Sequence, residues 1–236
     1  MSSTSSSWRR GLPSEVEFWE EYIRTGGGEF HDEYRERLDP TSAITDPLII
    51  DALARSSSEL VRILDVGAGP LTAIGKRDPS DPQRKIEIVA IDPLAAEYRR
   101  ILESFGVAGP VMTEPCRGED IATRFGRDTF DIAYARNAID HSIDPMSIIE
   151  NMVEVVRPAG MIVLRHYRRE AEQMRYEQLH QWNFDVDHGR LLLWGKRDRF
   201  DVTERLGSKA AVAARPHPGS HHADWVEAAI SPRERD

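Results

Sequence analysis

The chain has 236 residues, of which 31 are Lys or Arg and 40 are Asp or Glu, leaving a formal charge of −9. That length suits one globular domain with its own core, and the single cysteine, Cys116, cannot supply an internal disulfide. The acidic balance argues against a protein built to neutralise nucleic-acid phosphates or an anionic membrane surface. No apolar run approaches the roughly 20 residues that span a bilayer, and the opening MSSTSSSWRR lacks the apolar stretch of a secretory signal. The expectation is a soluble cytoplasmic protein, monomeric or homodimeric.

Residues 1–7 are nearly all Ser and Thr and are expected to be a disordered tail, followed by a single domain over 8–236. Val16, Phe18, Trp19, Tyr22 and Ile23 recur at helical spacing until Gly26, Gly27 and Gly28 break the pattern. A second helix is predicted from about Ile44 to Leu60, so that 8–58 forms a helical N-terminal cap. From Val61 short apolar runs alternate with helical stretches. Strands are predicted at Val61–Val66, Ile86–Ile91, more weakly Pro110–Cys116, then Phe130–Ala135 and Met161–Tyr167; helices at Ala95–Phe105 and Pro145–Val156. This rhythm predicts an α/β fold, a doubly wound, mostly parallel sheet with helices on both faces. Arg168–Trp182 has helical composition, LLLWG and RFDVT around Lys196, Arg197 and Asp198 read as an inserted β-hairpin, and Lys209–Ala214 with Trp225–Ile230 read as an antiparallel C-terminal edge.

The strongest local signal is DVGAGPLT, Asp65 to Thr72, at the exit of the first strand. Glycines there let a ligand approach the backbone closely. A dinucleotide pyrophosphate wants G-x-G-x-x-G and free N–H groups, but Thr72 replaces the third glycine, Pro70 removes a donor and Asp65 adds negative charge. The loop therefore suits a ligand with cationic groups. Val61–Thr72 resembles motif I of the class I S-adenosylmethionine-dependent methyltransferases, with FDIAYARNAIDH resembling their motif IV and VVRPAGMIVLR the approach to their fifth strand. The resemblance implies a Rossmann-like seven-stranded sheet, S-adenosyl-L-methionine as cofactor, and a cofactor-binding core over 59–167 with a substrate side over 168–236. It implies a role for Asp65, Gly67, Ala68 and Gly69 in the motif, for Asp92 on the ribose hydroxyls with Pro93 beside it, for Gly118, Glu119 and Asp120 at the adenine, and for Arg136 and Asn137 at the end of the fourth strand. The interval between Asp65 and Asp92 suits one intervening helix.

Ligands of open α/β sheets bind beyond the carboxyl ends of the strands. Those ends carry Arg136 and Asn137, with His141 just after, and Arg165 and His166 on the fifth strand. This local cationic group predicts an acceptor bearing a carboxylate or phosphate. His180, Gln181, Trp182 and Asn183 offer a mixed aromatic and polar wall, and Trp19 and Tyr22 a lid. His141, then His166 and His180, are the candidate bases for a hydroxyl acceptor. His217, His221 and His222 lack fixed partners, so no metal is expected. The reading is small-molecule O-methylation, with a protein or nucleic-acid methyltransferase, or a catalytically silent cofactor-binding protein, as alternatives.

Overall fold

The computed structural model describes residues 3–218 and 224–234; His221 and His222 lie outside them. Helix α1 runs Ser3–Arg24, α2 His31–Leu38 and α3 Pro47–Arg55. Five of the seven residues expected as a tail thus belong to α1, because a helix anchored by a packed face adds one hydrogen bond per residue as it extends. The second predicted helix is shorter than expected and α2 was not predicted. The start of α3 is set by Asp46, whose carboxylate caps Leu48 and Ile49 N–H, and by Pro47 in the first turn.

Strands β1 (Leu60–Val66), β2 (Lys85–Asp92), β3 (Glu114–Pro115), β4 (Phe130–Arg136), β5 (Val156–Tyr167), β9 (Ala210–His217) and β10 (Trp225–Pro232) form one sheet in the order β3-β2-β1-β4-β5-β10-β9. The first five are mutually parallel; β10 runs antiparallel to both β5 and β9. The expected seven-stranded, mostly parallel sheet with an antiparallel edge is present. Helices α4 (Ala95–Ser104), α5 (Ile121–Phe125) and α6 (Pro145–Val155) connect the parallel strands. Alternate residues of β1 feed two cores: Leu64 and Val66 pack with Ile148, Ile149 and Met152 of α6, while Val61 and Ile63 pack with Ile49 and Leu53 of α3.

The expected helix between β1 and β2 is absent. Pro70, Gly75, Pro79 and Pro82 interrupt the segment, which is instead an irregular loop. Arg84 braces it, donating to Leu53 and Ser56 carbonyls and pairing with buried Asp78 at 2.8 Å. The third strand shrinks to two residues. The stretch expected to be helical over 168–182 contains only α7 (Glu170–Gln173). The expected hairpin is present as β7 (Arg190–Trp194) and β8 (Arg199–Asp201), extended to a three-stranded sheet by β6 (Asn183–Asp187) and closed by α8 (Val202–Leu206). Among the described residues no helix is long and apolar enough to cross a membrane.

Candidate functional site

A cavity of about 500 Å³ opens at the carboxyl ends of β1, β2 and β4. Its floor is the glycine loop. Gly67 and Gly69 have φ of +73° and +64°, and the N–H groups of Gly67 and Ala68 both donate to the Ile91 carbonyl, folding the loop over β2. A Cβ on Gly67 would overlap that of Ala138, so only glycine lets the loops after β1 and β4 meet. Asp92 is buried, accepting from Gly69 N–H at 3.2 Å and Leu94 N–H at 2.8 Å. Burial pushes its pKa up to about 7 despite these two donors. Asp65 is buried as well and accepts from the Thr72 hydroxyl at 2.5 Å, the bond that explains threonine at that position. Burial raises its pKa to about 6, against the Thr72 hydrogen bond and the charges of Arg37 and Arg136.

Helix α1 roofs the cavity. The Trp19 ring lies against Gly69, where an added Cβ would come within 2.7 Å of it, and the indole N–H donates to Glu15 at 2.8 Å. Tyr22 meets Trp19 edge-on at 5.2 Å, and the Arg37 guanidinium lies 5.6 Å from the Trp19 ring. Pro93 and Gly118 also line the cavity, Gly118 being small because Ile148 packs against it. Glu119 lines it too, but its carboxylate is engaged, accepting from Ile143 and Asp144 N–H at 3.2 Å each. Asp120 does not line the cavity; it is exposed at the end of a 3-10 turn.

The expected cationic group does not form. Arg136 lines the cavity but lies 3.4 Å from Glu33, a residue that Arg37 also holds at 2.6 Å. Arg165, the register neighbour of Arg136 on β5, is outside the lining and is held by Asp46 and, at 2.6 Å, by Glu227. Asn137 lines the cavity at φ 45°, its side-chain carbonyl accepting from Tyr167 N–H and so tying β4 to β5. Gln181, Trp182 and Asn183 are outside the lining. Gln181 donates to the Tyr176 and Gln178 carbonyls, Trp182 is buried with its N–H on the Ser142 carbonyl, and fully buried Asn183 binds Glu172 N–H, Tyr176 and Trp194. These three hold the chain together behind the wall.

His141 and His180 do face the cavity, with 3.1 Å between His141 Nε2 and His180 Nδ1. His166 does not: it is buried against Phe184, ring centroids 4.2 Å apart, with Nδ1 3.1 Å from Asp140 Oδ1. Two carboxylates complete this cluster. Asp140 Oδ2 lies 3.4 Å from His141 Nε2, and Glu170 Oε1 lies 3.6 Å from His180 Nδ1. Burial pushes the Asp140 carboxyl up, but the charge of His141 and the hydrogen bond and charge of His166 hold it below its ordinary value. Burial, then the Asp140 charge, raises Glu170 to about 9; burial, then His141, lowers His180 to about 4. Glu170 escaped the sequence reading, as did Glu15, whose Oε2 is 3.6 Å from His141 Nδ1. Neither carries a local signal. Left-handed backbone at Asn137, Arg169 and Gln178 turns the chain just before Asp140, Glu170 and His180, the kind of strain that gathers at functional sites.

Residues 64–164 match the methyltransferase domain family, spanning from β1 into β5. Among solved structures the fold recurs in the CurJ carbon methyltransferase, 11% identical with a TM-score of 0.50 over 79% of this chain and 52% of that one. This chain thus spans about half of CurJ. A weaker similarity is to an S-adenosylmethionine-dependent methyltransferase from Methanosarcina mazei, 17% identical with a TM-score of 0.48 over 81% of this chain and 100% of that one. A third is DhpI in complex with S-adenosylhomocysteine, 16% identical with a TM-score of 0.44 over 93% and 98%. No curated protein matches the chain by sequence. The matched segment takes in the glycine loop and covers less than half of the chain. Over that segment the chain resembles methyltransferases that use S-adenosylmethionine.

Proposed function

We propose that the enzyme methylates an oxygen of a small hydroxyl-bearing molecule. The cofactor supplies a methyl group activated on a sulfonium. The residues present fit it: Asp92 keeps lone pairs for ribose hydroxyls, Asp65 places a carboxylate within reach of an ammonium, and the Gly118–Glu119 segment flanks the adenine end. Each cationic or hydrogen-donating group of the cofactor favours the ionised form of these two buried acids. α1 excludes bulk water from the cleft, which strengthens every charge interaction inside it.

One adjacency carries the reading of the acceptor side. Gly67 and Ala138 are in contact, so the turn bearing Asp140 and His141 starts directly at the cofactor loop. An acceptor held near that turn faces His141 and His180, which are placed to take a hydroxyl proton. A hydroxyl fits better than a carboxylate, because Arg136 already shares Glu33 and its neighbour on β5, Arg165, is held by Asp46 and Glu227. A cavity of about 500 Å³ under a helical roof suits a small molecule rather than a protein side chain or a base within a nucleic acid.

The test is S-adenosylhomocysteine release with mass analysis against alcohols and phenols, carboxylic acids, RNA and protein. Methyl ethers from hydroxyl compounds are expected. Transfer only to carboxylates, to RNA or to protein would overturn the assignment, as would cofactor binding without transfer to any of these.

A further inference from the structure

We propose that Asp140, His141, Glu170 and His180 bind one divalent first-row transition-metal ion at the wall of the cavity. The site follows from its own geometry; its use in holding an acceptor oxygen rests on the function proposed above.

The four residues each offer one ligand atom, and these atoms all lie within 4.8 Å of one another. An ion bound at about 2.0–2.2 Å in a tetrahedron needs ligand atoms about 3.3–3.6 Å apart. Three separations already sit near that range: 3.4 Å from Asp140 Oδ2 to His141 Nε2, 3.1 Å on to His180 Nδ1, and 3.6 Å on to Glu170 Oε1. The remaining pairs need to close by little more than an ångström, within reach of a side-chain torsion.

The polar atoms are also under-satisfied in the way a cation would cure. Asp140 Oδ2 and Glu170 Oε2 are buried without a hydrogen-bond partner, and the Asp140 side chain is only 2% exposed. Leaving buried carboxylate oxygens without donors costs free energy. An ion would displace the proton that burial and Asp140 keep on Glu170, and the two carboxylates and two neutral imidazoles would then match its two positive charges.

A second tier of contacts supports the ligands. His166 holds the other oxygen of Asp140 at 3.1 Å, and Glu15 stands 3.6 Å from the other nitrogen of His141. Carboxylate–histidine–metal chains of this kind fix the tautomer and orientation of a ligand. Imidazole in the donor set favours Zn²⁺, Co²⁺, Ni²⁺, Mn²⁺ or Fe²⁺ over Mg²⁺ and Ca²⁺.

Three of the four residues line the cavity, so the ion would be reached from the side the acceptor enters. With the ion in place the imidazole nitrogens are ligands, and its charge, rather than an imidazole base, lowers the proton affinity of an acceptor hydroxyl. The acceptor class is then a molecule able to place an oxygen on the metal. The competing account is a closed network in which the carboxylates and histidines satisfy one another.

The experiment uses the full chain, stripped with a chelator and dialysed, then titrated with Zn²⁺ by calorimetry and with Co²⁺ by visible absorption. S-adenosylmethionine affinity is measured on the same samples. One equivalent per chain is expected for the wild type. His180→Gln and Asp140→Asn should weaken uptake on the order of 100-fold and Glu15→Gln about tenfold, whereas His188→Gln on the exposed β6–β7 turn should change nothing. If the ligand variants fail to fold, the wild type decides: Co²⁺ should shift the proton resonances of the His141 and His180 rings, and an absence of shifted imidazole signals overturns the site. Absence of stoichiometric uptake, or uptake unchanged in folded His180→Gln and Asp140→Asn, also overturns it. Metal uptake without cofactor binding would sink the proposed function and leave the site standing; cofactor binding without metal uptake does the reverse.

Discussion

Cofactor affinity should depend steeply on pH, because the two acids proposed to hold S-adenosylmethionine are mostly protonated in mildly acidic solution. Asp65 titrates at about 6 and Asp92 at about 7. If the complex requires both ionised, the competent fraction of free protein is about 0.9 at pH 8 and about 0.001 at pH 5. Apparent affinity should therefore fall about 1000-fold across that interval, about 4 kcal/mol of binding free energy. In the free protein the trend is opposite. Both folded-state values lie above the ordinary carboxylate value, so these groups contribute stability that is full below about pH 3.8 and lost as pH rises through 6 and 7. The cofactor reverses that loss, and its thermal stabilisation should grow between pH 5.5 and 8. Calorimetric Kd values at half-unit pH steps measure the effect, and Asp92→Asn should remove the upper of the two titrations. A Kd constant within threefold from pH 5 to pH 8 would refute the reasoning.

Arg165→Gln removes the cation between Asp46 and Glu227, although Glu227 keeps Arg215 at 2.5 Å. A cost of about 3 kcal/mol is expected, lowering Tm by about 6–12 °C with cofactor Kd unchanged; an unchanged Tm with a raised acceptor KM would return this arginine to the substrate site. Gly67→Ala should weaken cofactor binding on the order of 100-fold through overlap with Ala138, whereas Gly126→Ala, at a similar φ of +75° but with nothing within 4 Å, should cost only stability. Equal effects of the two on Kd would show that backbone conformation, not the contact between loops, matters. Arg136→Gln should raise acceptor KM about tenfold while Tm moves by under about 2 °C, since Glu33 keeps Arg37 at 2.6 Å; a change in cofactor Kd alone would place Arg136 on the cofactor side.

The parallel core was legible because the inner stretches of β1, β2, β4 and β5 are buried and read as short, mainly apolar runs closed by turn residues. The tight turn after β1 was legible from its glycines, and Gly67 and Gly69 do take positive φ with Asp65 and Asp92 buried beside them. The substrate side was misjudged where strand geometry was overlooked. Arg165 and His166 are neighbours in sequence, so their side chains leave β5 on opposite faces and cannot both serve one cleft. Arg165 goes to α3; His166 goes to Phe184 of the small sheet. Glu170, Glu15 and Glu33 reach the cavity through contacts distant in the chain, for which composition and periodicity give no sign. The loop between β1 and β2 was readable from its prolines, yet the family pattern suggested a helix there.

The position of β10 bears on how the chain acquires its fold. β5 is the longest strand, and its inner residues, Met161 to Leu164, are buried on both faces. One edge pairs with β4, but the other is completed only by β10, which the chain reaches after making β6 to β9. Until residues 225–232 emerge from the ribosome, β5 presents a long apolar edge of unpaired N–H and C=O groups, an invitation to pair with another chain. Cutting the chain before β10 should accordingly yield aggregates rather than a smaller soluble domain, even though every residue proposed here to touch cofactor or metal would still be present.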